Sequence, residues 1–113
     1  MKINNSLQVP ENPVNMDGAK NVTIQILIGP GDGSKNIVMR KFKVAPGGHT
    51  PRHTHDFEHV IKVEKGKGKL VDAEGNEHDL IEGMSAFVPP NELHQFTNPS
   101  HEPFEFLCII KNN

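Results

Sequence analysis

Beyond its first twenty residues the chain is written in short apolar runs cut off by turn residues, and no window of ten or more residues carries a convincing helical period. The runs are Val22–Ile28, Ile37–Val44, His59–Lys65, Lys69–Asp72, Glu77–Ile81, Ser85–Val88, His94–Thr97 and Phe104–Ile110. Their separators hold the residues that turns need, as in Gly29-Pro30-Gly31-Asp32-Gly33, Pro46-Gly47-Gly48, Glu74-Gly75-Asn76 and Pro89-Pro90-Asn91. Glycine and asparagine allow positive φ there, and proline fixes φ. Such a pattern predicts an all-β sandwich or barrel. With 113 residues the chain has enough material for one core, not two. Residues 1–20 are polar, broken by Pro10, Pro13 and Gly18, and are expected to form an N-terminal arm ordered on a neighbour, while residues 21–113 form the β domain.

Alternation along the strands assigns faces. In the second run Val38, Phe42 and Val44 share their parity with Arg40, which places one cation on the core side. Its plain role would be a structural ion pair, and its functional role a clamp on a substrate carboxylate. In the last run Phe104, Phe106, Cys108 and Ile110 oppose Glu105, Leu107, Ile109 and Lys111. The second set is half apolar, so that strand is expected to be covered on both sides, by a partner subunit or by the arm.

A formal net charge of -2 and a pI near 6.4 give no footprint for a nucleic-acid partner. The run Lys62, Lys65, Lys67 and Lys69 is interrupted by Glu64 and fits a solvated rim. No stretch of eighteen apolar residues and no leader pattern is visible, so no membrane partner is expected and the cytoplasm is the expected compartment. The single cysteine, Cys108, is read as a barrel-lining residue open to oxidation, in agreement with a reducing setting.

Seven histidines are present, and their spacing carries the chemistry. On an extended chain His53 and His55 project to the same side, and His59 joins them if the intervening turn keeps parity. His94, after a Pro-Pro-Asn turn, is a fourth candidate. Taken alone, an H-x-H pair in so histidine-rich a chain reads as readily as chance packing as it does as a metal site. His49 precedes Pro51 and is read as lying outside the shell; His78 and His101 are read as surface residues beside turns.

The surroundings decide between these readings. Gly47, five residues, His53-x-His55, three residues, His59, six residues and Gly66 resemble the first cupin motif, G-x5-H-x-H-x3,4-E-x6-G, with His59 in place of glutamate. Gly83, five residues, Pro89-x-Asn91, two residues, His94, three residues and Asn98 resemble the second motif, G-x5-P-x-G-x2-H-x3-N, with Asn91 in place of glycine. Asparagine tolerates the left-handed conformation that glycine would supply. The chain is most similar to the small single-domain manganese cupins.

That resemblance implies a jelly-roll (double-stranded β-helix) barrel, a homodimer, and a divalent metal on His53, His55, His59 and His94. Manganese is the first expectation, with iron, nickel or zinc as alternatives. Glu58 sits one place early with opposite parity and does not carry over as the family's glutamate. Arg40, Phe96, Phe104, Phe106 and Cys108 are candidates for the pocket wall. The expected activity is that of an oxygenase or related oxidoreductase on a small molecule that chelates the metal at two open positions. The alternative is a metal-holding module that binds a small ligand without turnover.

Overall fold

β-branched and aromatic residues placed at every second position form pleated, half-buried surfaces, and each of the eight apolar runs forms a strand in a computed structural model of the chain. The structure describes residues 1–112; residue 113, the last of the expected β domain, lies outside the described residues. The strands are β1 (Asn12–Pro13), β2 (Lys20–Ile28), β3 (Ile37–His49), β4 (His59–Lys65), β5 (Lys67–Val71), β6 (Glu77–Ile81), β7 (Ser85–Val88), β8 (Gln95–Thr97) and β9 (Phe104–Lys111). All pairings are antiparallel, in the order β6-β5-β8-β3-β9-β4-β7, with β2 added to β3 and β1 to β2. The sheet rolls toward closure where the β6–β7 turn returns to β4: Val63 N–H donates to Met84 O (2.9 Å) and Gly83 N–H to Val63 O (3.0 Å). The result is the all-β jelly-roll barrel of one domain that the sequence leads one to expect.

The inward parities hold. Val44, Ile61, Val63, Phe96, Phe104, Phe106 and Cys108 are buried in one cluster with Val22 and Leu80. Gly68 exists for this core, because a Cβ there would run into the ring of Phe104.

Two features differ from expectation. Pro46-Gly47-Gly48 does not end the second run; β3 continues through it as a wide bulge, the register jumping from Val22↔Val44 to Lys20↔His49. Gly47 takes φ of 78°, and a Cβ on Gly48 would lie 2.6 Å from the Lys20 carbonyl oxygen. The arm, in turn, lies on its own chain. Asn12 pairs with Ile24, Thr23 Oγ1 donates to Glu11 Oε1 (2.6 Å), and Gln25 Nε2 donates to Ser6 O (2.7 Å) and Val9 O (3.0 Å). It therefore covers β2 and not the outer face of β9. Among the described residues no helix is long and apolar enough to cross a membrane.

Candidate metal centre

The two glycine-bounded segments that carry the histidines are zipped together by backbone bonds. Gly47 N–H donates to Asn98 O (2.8 Å) and Asn98 N–H to Gly48 O (3.0 Å). Thr50 N–H reaches Phe96 O (2.9 Å), and the Thr50 hydroxyl accepts from Phe96 N–H (2.9 Å). His53 and His94 exchange both backbone bonds at 3.1 Å. At the far end Asn91, at φ 65° in the left-handed region foreseen for it, donates its N–H to His55 O (2.6 Å). The buried Asn98 amide fastens the near end, donating to Val44 O (2.9 Å) and Glu102 O (2.7 Å). Ligand candidates about forty residues apart in sequence are thus brought together by the main chain before any side-chain chemistry acts.

Ring nitrogens of His53, His55 and His94 lie within 4.8 Å of one another, with Nε2 of His53 and His55 only 3.0 Å apart. His59, buried at the start of β4, stacks on His55 at 4.2 Å between ring centroids and stands 5.4 Å from His94. Its Nε2 is buried without a hydrogen-bond partner. A buried, partnerless nitrogen is costly, and a cation shared with the neighbouring rings would satisfy it. The tautomers agree with that role. His94 Nδ1–H can donate to Glu92 O at 2.8 Å, and His59 Nδ1–H can donate to Cys108 Sγ at 3.4 Å. Each ring would then present Nε2 as a lone pair.

Burial first, then the neighbouring rings and Arg40, hold the imidazoles of His53, His55 and His59 below the usual histidine range. His55 is pulled down to about 4, His59 to about 3, and His53 is lowered in the same direction. They are neutral at physiological pH, the form in which imidazole ligates. The donor set therefore fits a divalent transition metal.

The rings open on a cavity of about 430 Å³ whose wall includes Arg40, Phe42, Phe96, Phe106 and Cys108. Phe104, also expected in this wall, has the right parity but lies deeper, fully buried over Gly68 in the barrel core. Glu58 is exposed, in keeping with its parity. His49 turns to Thr50 O and Gln95, and His78 pairs with Asp72 at 2.8 Å. His101 sits in a separate surface groove. Sequence reading missed Phe57, which stacks on His55 at 4.6 Å; it shares the odd parity of His53, His55 and His59, and that was the available signal. It also missed Val14, Asn15 and Met16 of the arm, which form one side of the cavity and carry no periodic signal.

Residues 40–110 match the family model described as "Cupin domain". The chain is 31% identical to auxin-binding protein 1 of Arabidopsis thaliana over 96% of its length and 58% of that protein's. It is 30% identical to 1-methylthio-D-xylulose 5-phosphate methylsulfurylase of Rhodospirillum rubrum over 80% of its length and 56% of that protein's. It thus spans little more than half of these curated relatives. Among solved structures it is similar to the polyketide cyclase RemF of Streptomyces resistomycificus, with a TM-score of 0.95 and 32% identity, over 100% of this chain and 80% of that one. With both motifs zipped into one barrel and the family match spanning most of the strands, the chain belongs to the cupin family.

Proposed function

We propose that the chain is a metal-dependent enzyme acting on a small, largely apolar molecule that offers two oxygen atoms to a divalent metal held on His53, His55, His59 and His94. One observation carries this reading: four imidazoles share a cavity whose lining, among the described residues, includes no carboxylate. Manganese is the leading metal, with iron, nickel or zinc as alternatives. When bound, such an ion supplies Lewis-acid polarisation of an oxygen and, if redox-active, one-electron chemistry with oxygen or peroxide.

The protein's own part follows from the cavity wall. Phe42, Phe96 and Phe106 give an apolar surface from which water is displaced by the ligand. With no carboxylate at hand as a general base, the substrate has to be readily acidified, such as an enolisable carbonyl compound or a catechol. Cys108 and the Glu92 carbonyl orient His59 and His94 and keep their Nε2 atoms free.

The leading reaction class is oxygenation or a related oxidation. A second reading, ring closure of an enolisable substrate, is favoured by the similarity to RemF over the whole chain. A third, ligand binding without turnover, is favoured by the similarity to an auxin-binding protein. The test loads chelator-treated protein with manganese or zinc and offers 1,3-diketones and catechols. Oxygen or peroxide consumption with manganese alone supports oxidation, turnover with both metals supports ring closure, and saturable binding without product supports the module. Failure of the loaded protein to bind any of them overturns the reading.

A homodimer belongs to the same proposal. Ile28, Met39, Ile109, Val60 and Phe87 are successive register partners across β2, β3, β9, β4 and β7. Val60 and Phe87 are 48% and 59% exposed, so a two-fold partner laying the same row against itself would cover them. A cytoplasmic setting, where the lone Cys108 stays reduced, completes it.

A further inference from the structure

Arg40 projects inward from β3 and is the one residue of permanent charge in the cavity lining. The structural ion pair expected for it is not formed: the ion pairs among the described residues are Lys41–Glu105, Lys43–Glu11, Lys69–Asp79 and His78–Asp72. Lys41, next to it in sequence, and Glu105, the register partner of Lys43, occupy the opposite face of the sheet. Nη2 of Arg40 donates to Cys108 Sγ at 2.9 Å, its guanidinium carbon stands 5.0 Å over the ring of Phe42, and its buried Nε has no partner. No carboxylate among the described residues lines the cavity to balance the guanidinium.

An unbalanced cation with an unused donor, facing an apolar cavity, is costly unless a ligand completes it. The planar guanidinium matches a carboxylate. A phosphate would ask for several further donors, and the groups recorded against the guanidinium, the Phe42 ring and Cys108 Sγ, supply no N–H or O–H. We propose that Arg40 is the specificity-determining residue of the cavity, and that it takes the carboxylate of a small aromatic or apolar acid. This deepens the proposed function by naming its substrate class. It rests on that reading only for the acid's other oxygens, which would face the histidine cluster.

The experiment is titration calorimetry on the full chain, both chelator-treated and manganese-loaded, with benzoate against benzamide as probes and with 3,4-dihydroxybenzoate against catechol. Benzoate should bind tighter than benzamide by roughly tenfold or more in both preparations, the gain expected from a charge-assisted contact. Arg40→Gln should abolish that preference, and Arg40→Lys should keep part of it. Equal affinity for the two probes, no saturable benzoate binding, or a preference that survives Arg40→Gln overturns the assignment. The wild-type comparison decides even if Arg40→Gln fails to fold. If the benzoate preference depends on Arg40 while manganese adds nothing to the binding of 3,4-dihydroxybenzoate, the metal reading fails and Arg40 stands.

Discussion

Cys108 Sγ lies 3.4 Å from His59 Nδ1, so the outer nitrogen of that ring is occupied and the inner one, Nε2, is left bare among the other imidazoles. The relationship supports the proposed place of His59, which stands where the family motif has glutamate, on the metal, while the neighbouring carboxylate, Glu58, is exposed. His59→Ala is therefore expected to weaken metal retention as strongly as His55→Ala, by more than the roughly 10–100-fold that loss of an outer-shell partner costs. Glu58→Ala should leave it unchanged. Elemental analysis after dialysis against a graded chelator checks all three, and full retention in the His59 variant would sink the ligand set.

The lowered titration of the rings makes the metal-free fold sensitive to acid. An unfolded chain protonates its histidines as pH falls below about 6.5, whereas the folded one keeps His55 and His59 neutral down to about 4 and 3. Below about 6.5 the unfolded state thus binds more protons, and stability present above that pH is lost progressively as pH falls toward these lower values. The thermal midpoint of chelator-treated protein is expected to drop between about pH 7 and pH 4.5, and less steeply in His59→Gln. A wild-type midpoint that stays level over this range contradicts the shifts.

Asn98 is 1% exposed and its amide serves two carbonyls from different segments, Val44 and Glu102. Asn98→Ala strips both of a donor and should lower unfolding free energy by about 2–4 kcal/mol. Urea denaturation is the measurement, with an unchanged slope expected and a shifted midpoint. A loss below about 0.5 kcal/mol would show that water replaces the amide without cost.

Phe87 is the most exposed member of the apolar row that crosses the outer sheet. Placing a charge there, as in Phe87→Asp, should convert a dimer into a monomer while leaving the inward-facing site intact. Light scattering coupled to size exclusion reads the mass. A wild-type monomer at all accessible concentrations would dispose of the dimer.

Much of the fold was legible because strands write their faces in sequence with period two. Alternation alone gives the inward sets of β3 and β9, which include Val44, Phe106 and Cys108. Asn91 was legible for a local reason, since a left-handed turn residue must be glycine or a close substitute. The continuation of β3 through Pro46-Gly47-Gly48 was not, because a bulge and a turn use the same residues and only the long-range bonds to Asn98 tell them apart. Phe104, inward but deep in the core over Gly68, shows that parity gives the side of a strand but not the depth along it. The ion-pair state of Arg40 depends on contacts across β9 that no spacing rule encodes.

The arm has a consequence of its own. Val14, Asn15 and Met16 bound the cavity from outside the histidine-bearing segments, on a stretch tied to β2 by only a few bonds. Part of the cavity's shape is thereby separable from the scaffold: grafting a different arm onto the same barrel would reshape the space beside Arg40 while the imidazole cluster stays on the barrel, which makes this segment the natural place to begin redesign.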